Sequence, residues 1–183
     1  MRRREVITQK IKTKKQTSNI FSVVKPTYND IYLQYNEGDS HPYSYVYPRP
    51  SVTADCLLFS KEDDKVSVLL IKRGGEPFKG SWAFPGGFIE TGRETIEQCA
   101  RRELMEETGL KADELKLVGV YSKLGRDPRC PMVTAAYCGY IEKKEPNGND
   151  DAAEARWFPL DEIPPLAFDH DEMFADALKL LNL

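Results

Sequence analysis

Three glutamates that share one face of a predicted helix are the residues of this chain best suited to chemistry. Glu103, Glu106 and Glu107 are three and four residues apart, the spacing that brings side chains together on an α-helix. Like charges at this spacing destabilise an isolated helix by about 0.2–0.5 kcal/mol per pair, so the arrangement needs a compensating cation or a surplus of neighbouring basic residues. Mg²⁺ prefers carboxylate and carbonyl oxygens and takes further ligands from water and substrate phosphates. The spacing therefore indicates a Mg²⁺ site for a phosphate compound.

A glycine turn lies upstream of these glutamates. Pro85-Gly86-Gly87 places backbone without side chains near the start of the helix, where carbonyls can bind metal and amides can face phosphate. Without such a turn, clustered glutamates are more often a solvated helix face, here with Arg101 or Arg102 as partners. The turn favours the metal site over that alternative.

Residues 86–110 resemble the Nudix box, whose pattern is G-x5-E-x7-R-E-U-x-E-E-x-G-U with U an aliphatic residue. From Glu94 to Leu110 the match is complete. Six residues instead of five separate Gly87 from Glu94, as though Arg93 were inserted, and we expect the turn at residues 91–93 to absorb it. Similarity to the ADP-ribose pyrophosphatase-like branch extends over roughly residues 48–181, in segments 49–53, 69–73, 77–85, 125–129, 150–158 and 166–170.

The resemblance implies an enzyme that hydrolyses a pyrophosphate bond, converting ADP-ribose and water into AMP and ribose 5-phosphate. It implies Mg²⁺, or Mn²⁺, as cofactor, because such ions remove the repulsion between an anionic pyrophosphate and attacking water. The implied metal ligands are Glu103, Glu107, Glu106 and the Gly87 carbonyl. Arg102 is expected to orient these carboxylates together with Glu94.

Further site candidates lie outside the box. The resemblance leaves the catalytic base open between a glutamate of the box, Glu103 or Glu106, and one from a later loop. Glu154 is the candidate outside the box for the base or an extra ligand, and an exposed charge at a strand start is the equal alternative. Four basic residues in glycine- and proline-marked loops are candidates for substrate binding: Arg73, Lys79, Arg126 and Arg129. An aromatic ring is expected to stack on the base, and the choice stays open among Tyr47, Phe78, Trp82 and Phe88.

Three other functions share these features. A triphosphate pyrophosphohydrolase of oxidised guanine nucleotides has the same box and differs in its base pocket. An ADP-ribose-sensing Nudix regulator is not an enzyme, and we expect it to carry a DNA-binding winged helix after the domain, whereas this chain ends at Leu183. An RNA-processing enzyme would hold RNA through the basic tail and tyrosines by charge and stacking, but nucleic acid is not the expected partner.

Two helices and several strands are predicted to position these residues. Residues 51–60 and 65–73 read as a β-hairpin around a charged turn, and strands follow at 115–123, 131–142 and 154–158. Apolar spacing predicts a helix over 95–108 that Gly109 ends, and a second helix from Asp169, capped by its carboxylate with Glu172 three residues on. The class is α/β, and the resemblance implies the Nudix fold, an α/β/α sandwich with a central mixed sheet.

Composition bounds the remaining possibilities. The 183 residues are 40% hydrophobic and 30% charged, with no apolar run near the roughly 18 residues of a membrane span. Four cysteines without a Cys-x-x-Cys pair favour reduced thiols and a cytoplasmic protein.

Residues 1–15 carry seven basic residues against Glu5, a tail of +6 in a chain of net charge −3. We predict a basic tail and tyrosine-rich extension over 1–45, a Nudix hydrolase domain over 46–183, and a homodimer.

Overall fold

The computed structural model describes residues 49–147 and 152–183. The chain first forms the predicted hairpin, from β1 (Ser51–Glu62) and β2 (Lys65–Arg73), which pair antiparallel around the charged turn. The later predicted strands are confirmed within a few residues as β5 (Lys116–Tyr121), β6 (Met132–Tyr140) and β7 (Ala152–Pro159). The basic tail, the tyrosine segment and the boundary at residue 45 lie outside the described residues.

Seven strands of the described residues form one sheet, and the predicted mixed character of the sheet is confirmed. β1 lies at its centre, parallel to β6 along nine residue pairs and antiparallel to β2. β5 pairs with the far side of β6, and β7 pairs with β2. The sheet is therefore wide enough for a helix on each face.

Two short strands between β2 and the first helix were not predicted. β3 (Trp82–Ala83) pairs with β2, and β4 (Gly86–Phe88) pairs with β1. β1 and β2 pair directly only near the hairpin turn, and β3 and β4 fill the gap where they diverge. Strands of two and three residues are too short to show a period-2 pattern, so the sequence contained no signal for them. Their position brings the glycine turn into the sheet.

Helix α1 (Ile96–Thr108) carries the glutamates and begins and ends on local signals. Thr95 and Gln98 form a capping box, in which each side chain accepts a hydrogen bond from the other residue's backbone N–H. Gly109 ends the helix in the left-handed region at φ 70°. The predicted helix is thus confirmed, and its buried face packs Cys99, Ala100 and Leu104 onto the sheet.

Alternate residues of β1 face two different cores. Cys56 and Leu58 pack with α1, whereas Leu57 and Phe59 pack with helix α2 (His170–Leu181) on the opposite face. A strand buried on both faces reads as a continuous apolar run, which explains its composition. The α/β/α sandwich is confirmed, and neither of the two helices within the described residues is long and apolar enough to cross a membrane.

The predicted cap of α2 is wrong. Asp169 is the N-cap residue, but its side chain makes no capping hydrogen bond. Both of its carboxylate oxygens instead accept hydrogen bonds from Arg126, at 2.9 and 2.7 Å. A bidentate guanidinium pair is stronger than a neutral cap, so the carboxylate turns away from the helix.

Candidate active site

A cavity of about 850 Å³ opens where β4, α1 and the loop after β5 meet. It brings together parts of the chain that lie far apart in sequence: the middle of β1, the end of β2, the glycine turn, the glutamate face of α1, residues 126–129 and residues 168–170. One wall is acidic and the other carries three arginines. Such a cavity suits a ligand that is anionic and binds a cation.

The acidic wall is built around the glycine turn. The Gly86 N–H donates to Glu107 Oε2 at 2.9 Å, which ties the helix to β4. A Cβ on Gly87 would lie 2.3 Å from Glu103 Oε1, and one on Gly86 would lie 2.2 Å from Asp55 Oδ1. Gly86 therefore needs glycine, because a Cβ there would also lie 2.5 Å from the Ala54 backbone carbonyl, whereas a Cβ at Gly87 would displace the Glu103 carboxylate.

Burial and mutual repulsion shift the proton equilibria of this wall. Burial, with smaller contributions from Asp169 and Glu103, raises the pKa of Asp55 to about 7. Burial, with Glu103 and Asp55 nearby, raises the pKa of Glu107 to about 8, and burial also raises the pKa of Glu103. Carboxyl groups with raised pKa values are partly protonated near neutral pH unless they bind a cation. A cation held by these carboxylates would favour their charged forms and lower their pKa values.

Arg102 connects the box carboxylates. Its guanidinium donates to Glu94 at 2.8 and 3.0 Å, to Glu103 at 2.7 Å and to Glu106 at 2.8 Å. A further N–H donates to the Phe88 carbonyl at 3.0 Å. These bonds raise the pKa of Arg102 and lower that of Glu94. The geometry matches the orienting role expected for Arg102, with Glu94 as its main partner.

The extra residue in the box is absorbed by a turn before α1. Arg93 N–H donates to the Glu90 carbonyl at 3.0 Å, and Gly92 adopts φ 83°. Glu94 Oε1 accepts from the Glu90 N–H at 2.8 Å, so the turn closes in front of Arg102. The expected site of the insertion is confirmed. On the far side of this turn the Gly87 carbonyl lies 3.6 Å from Cys99 Sγ, facing α1.

Asp55 and His170 are site residues that the sequence analysis missed. Asp55 lies in the middle of β1, and the only local signal was one acid within the apolar stretch of the strand. His170 Nε2 lies 4.0 Å from Asp55 Oδ1, and its Nδ1 accepts from the buried Phe84 N–H at 3.1 Å. Burial lowers the pKa of His170 to about 3, so the ring is neutral and positions the segment before the glycine turn.

Two of the predicted substrate-binding arginines are already paired. Arg126, whose side chain is 4% exposed, donates to Asp169 and to the Thr134 hydroxyl at 2.6 Å. Arg129 donates through Nε and Nη2 to Asp127, at 2.7 Å for the shortest contact. Both line the cavity, but each guanidinium charge is balanced by a carboxylate. Their positions suit neutral contacts with a ligand better than capture of a phosphate.

Arg73 differs from these two. Its Nε donates to the Pro77 carbonyl at 2.8 Å, and its Cζ lies 4.8 Å from the centre of the Phe168 ring. Within residues 49–147 and 152–183, it forms no ion pair with an acidic side chain. Burial and the neighbouring Arg129 lower its pKa. An unbalanced cation beside the acidic wall is suited to bind a phosphate.

Lys79 and Glu154 lie elsewhere, which corrects their assignment to the site. Neither lines the cavity. Glu154 is on β7, opposite Lys72 of β2, whose Nζ is 3.7 Å away. Lys79 is exposed in the turn before β3. A glycine- and proline-marked loop suggested Lys79, and the start of a strand suggested Glu154. The pairing of β7 with β2 sets the position of Glu154.

The candidates for an aromatic stacking residue are now separated. Phe88 lines the cavity and is 47% exposed, whereas Trp82 packs on Phe158 and Phe78 on Phe168, outside the cavity lining. Tyr47 lies outside the described residues. Phe168, which the sequence analysis did not single out as a stacking residue, also lines the cavity.

The comparisons with known proteins agree with this geometry. The NUDIX domain family matches residues 49–177. An ADP-ribose pyrophosphatase of Methanocaldococcus jannaschii is 42% identical over 137 residues, which are 75% of this chain and 78% of that enzyme. The ADPR responsive transcriptional repressor NtrR of Acinetobacter baylyi is 34% identical, over 74% of this chain but only 56% of the repressor.

A solved structure shows the same fold with a ligand. The NUDIX domain of Shewanella oneidensis NrtR, complexed with ADP ribose, matches with a TM-score of 0.69 and 26% identity, over 85% of this chain and 99% of that domain. The matching family covers most of the chain, and the sheet, the glycine turn and the glutamate helix lie within the matched residues. This protein therefore belongs to the Nudix family.

Proposed function

We propose that this protein hydrolyses the pyrophosphate bond of ADP-ribose, giving AMP and ribose 5-phosphate, with Mg²⁺ or Mn²⁺ as cofactor. The observation that carries the proposal is the cavity in which carboxyls with raised pKa values face Arg73, which forms no ion pair with an acidic side chain among the described residues. The archaeal relative named as an ADP-ribose pyrophosphatase and the solved NUDIX domain with bound ADP ribose support this substrate.

The acidic wall fits a hard divalent ion by its donor chemistry. The donors are carboxylates and a backbone carbonyl, which Mg²⁺ and Mn²⁺ prefer, and the raised pKa values of buried Asp55 and half-buried Glu103 and Glu107 are ones that a bound cation would lower. Among the described residues, no three acidic, His or Cys side chains converge closely enough to enclose an ion by themselves. Mg²⁺ typically keeps several waters and takes ligands from substrate phosphates, so a partial protein shell suits it.

We assign Glu103 and Glu107 as the principal metal ligands, with Glu106 and the Gly87 carbonyl as further ones. When bound, the ion lowers the pKa of a water and neutralises charge on the pyrophosphate. Gly86 holds Glu107 in place through its N–H, and Arg102 holds Glu103 and Glu106 through its guanidinium. The chain thus orients the carboxylates before substrate arrives, which reduces reorganisation during the reaction.

We assign the phosphate contact to Arg73 and the base to Glu106. Arg73 retains donors after its bond to Pro77, and a guanidinium can bind phosphate oxygens in pairs. Glu106 is the one of the three helix-face glutamates, Glu103, Glu106 and Glu107, that is exposed, with 45% of its side chain accessible. A carboxylate in contact with water can take the proton that the attacking water loses.

A direct test measures products and not only substrate loss. The purified chain is incubated with ADP-ribose and Mg²⁺, Mn²⁺ or EDTA, and AMP and ribose 5-phosphate are separated chromatographically. We expect equal amounts of both products, with no turnover in EDTA. The same assay, coupled to a phosphatase, covers other nucleotide sugars, dinucleotides and oxidised guanine triphosphates. Faster cleavage of an oxidised triphosphate than of ADP-ribose would replace the proposal with the sanitising activity.

The second candidate is an ADP-ribose sensor, which the similarity to the Acinetobacter repressor favours. A sensor binds ADP-ribose without cleaving it. Calorimetric binding of ADP-ribose with no product after prolonged incubation in Mg²⁺ or Mn²⁺ would assign this role. The buried acids and the arginine-held glutamates favour hydrolysis, since ligand binding alone does not require a cation site of this kind.

Location and assembly are also proposals. The four cysteines are all free, and three of them are buried, which supports a reducing compartment such as the cytoplasm.

Edge strand β5 exposes Leu117 and Val120, and Leu124 follows it, 94% exposed, which supports a homodimer. Sedimentation of the wild type and of Val120→Lys would test the dimer, because a charge on this edge is expected to give a monomer.

A further inference from the structure

We infer that Asp127 is a specificity determinant: by pairing with Arg129 it cancels a positive charge in the cavity, which favours a diphosphate that ends in a neutral sugar over a nucleotide that ends in a phosphate. The inference rests on the proposed function, because it assumes an anionic nucleotide in the cavity. It assigns a role to an acid that lies outside the glutamate box. The ligand class is a pyrophosphate in which both phosphates are esterified.

Asp127 is bound closely to Arg129. Arg129 donates through Nε to both carboxylate oxygens, at 3.1 and 3.2 Å, and through Nη2 to Oδ2 at 2.7 Å. The Arg129 backbone N–H donates to Oδ1 at 2.8 Å, which closes a turn around Pro128. The side-chain hydrogen bonds lower the pKa of Asp127 and raise the pKa of Arg129. Both groups are therefore charged at neutral pH, and the pair as a whole is neutral.

The exposure of the two partners shows that Arg129 does not need a carboxylate in order to be charged. The Arg129 side chain is 39% exposed, whereas the Asp127 side chain is 3% exposed. A guanidinium that reaches water is solvated without a partner, and burial of a carboxylate costs free energy that its pairing must offset. Arg126 is the contrasting case, because its side chain is 4% exposed and requires the Asp169 carboxylate. Asp127 thus chiefly changes the charge that Arg129 presents to the cavity.

Arg73 shows the effect of the pair on a neighbouring charge. Burial and, next, Arg129 lower the pKa of Arg73, whereas Asp127 acts to raise it. The two members of the pair therefore act on the Arg73 guanidinium in opposite directions. A phosphate bound at Arg73 is subject to the same partial cancellation, since all three residues line the cavity. Without Asp127, Arg129 would add a second uncompensated positive charge near Arg73.

A terminal phosphate depends on such a charge more than a sugar-linked diphosphate does. Both phosphates of ADP-ribose are esterified, whereas the terminal phosphate of ADP or ATP ionises further and adds negative charge. The carboxylates of Glu103, Glu106 and Glu107 line the same cavity and repel this charge. One added positive charge should therefore strengthen binding by about 2- to 6-fold per negative charge of the ligand, for a separation of about 8 Å and a dielectric between the values of water and of a protein surface.

The experiment varies the charge of the pair. Asp127→Asn makes the pair positive and still accepts the Arg129 backbone N–H, Arg129→Gln makes it negative, and the double substitution makes it neutral again. Dissociation constants of ADP-ribose, ADP and ATP are measured by calorimetry at low salt in EDTA, so that no metal ion neutralises the ligand. Asp161→Asn is the matched control, because Asp161 is exposed in the turn after β7 and does not line the cavity.

The affinity for ADP relative to ADP-ribose should rise about 2- to 6-fold in Asp127→Asn, and that for ATP should rise further. Arg129→Gln should shift both ratios in the opposite direction, and the double variant should return them close to the wild-type values. Salt at about 0.5 M should reduce these differences, because it screens charge. A purely structural role of Asp127 would weaken all three ligands alike, and the second substitution would not reverse the loss.

Three results would overturn the inference. They are unchanged ligand ratios in Asp127→Asn, shifts of the same sign in both single variants, and no binding of any of the three nucleotides by the wild type in EDTA. In the last case the metal ions and not the arginines would select the ligand. If Asp127→Asn does not fold, Arg129→Gln alone decides, because its ratios must move against ADP and ATP.

The outcomes separate this inference from the proposed hydrolysis. Cleavage of ADP-ribose in Mg²⁺ is measured on the same samples. If the wild type cleaves no ADP-ribose but the ligand ratios follow the charge of the pair, the specificity role stands and the proposed activity fails. If ADP-ribose is cleaved and the ratios do not change among the variants, the activity stands and the specificity role fails.

Discussion

Replacement of Gly87 by alanine tests how closely the glycine turn and the glutamate helix fit together. The added Cβ would lie 2.3 Å from Glu103 Oε1, 2.5 Å from its Cδ and 2.7 Å from Oε2. Real Cβ atoms essentially never approach other atoms closer than 3.0 Å, so the carboxylate has to retreat by at least 0.7 Å. Gly87 does not have a positive φ, so alanine adds no backbone strain there.

The displacement has a different effect on activity and on stability. Misplacement of a reacting group by about 1 Å can reduce a rate by about 100-fold, and we expect a loss of this order in kcat/KM for ADP-ribose. Overpacking of a well-packed region costs about 1–3 kcal/mol, and the cost should fall near the lower end because Glu103 is a side chain at the cavity edge. Gly87→Ala should therefore fold but turn over slowly.

The assay measures AMP formation at saturating Mg²⁺ together with the free energy of unfolding in urea. Gly75→Ala is the matched control, because a Cβ on that glycine meets nothing within 4 Å. It should keep its stability and most of its turnover. If Gly87→Ala folds normally and retains more than about one third of wild-type kcat/KM, the carboxylate position does not control the reaction and the reasoning is wrong.

Three further substitutions test single contacts. Glu107→Gln should lower turnover at least about 100-fold by removing a metal ligand. Burial raises the Glu107 pKa from 4.5 to about 8, so the unfolded chain releases this proton at lower pH than the folded one, and the ion-free wild type loses stability as pH rises between these values. In urea unfolding, the stability of Glu107→Gln relative to the wild type should therefore increase from pH 5 to pH 8. A constant difference in unfolding free energy would contradict the assigned burial. Arg102→Lys should reduce turnover by about 10- to 100-fold, because an ammonium cannot replace the planar guanidinium that binds Glu103 and Glu106. Arg101→Lys, on the same helix but outside the cavity lining, is the control and should stay active. Equal effects of the two substitutions would contradict the orienting role of Arg102. His170→Phe should lower the free energy of unfolding by about 1–3 kcal/mol at pH 8, because the buried Phe84 N–H loses its acceptor. The loss should be smaller at pH 5, because there the unfolded chain protonates His170 at its ordinary pKa of 6.5 while the buried ring, with a pKa of about 3, stays neutral, so the wild type itself is less stable. An unchanged urea midpoint at pH 8 would contradict this.

The local features of this protein were predictable from its sequence. The helix over residues 96–108 follows from apolar spacing and from Gly109, and the glutamates share a face because the helical repeat places them there. The hairpin of β1 and β2 follows from two apolar runs and a short charged turn. These features depend on residues within a few positions of one another, so one stretch of chain contains the information.

The composition of the site was only partly predictable. Pattern and resemblance identified Arg102 with its carboxylates, but Asp55 entered the site through the pairing of β1 with β4, and β4 is too short to predict. Sequence alone also could not distinguish the three cavity arginines that lie outside the box, Arg73, Arg126 and Arg129. Arg126 and Arg129 each form an ion pair with an aspartate. Among the described residues, Arg73 forms no such pair. This difference depends on which side chains the folded chain brings together.

Glu154 shows the same limit from the opposite side. Its position before a strand made it a candidate, yet the register of β7 on β2 places it opposite Lys72 and away from the cavity. A shift of one residue along a strand would move every side chain of β7 to the other face of the sheet. The amino-acid sequence by itself thus determined the helix, the hairpin and the chemistry of the box. The tertiary structure decided which distant side chains share the cavity, because strand register and the splay of β1 from β2 arise only when the whole sheet packs.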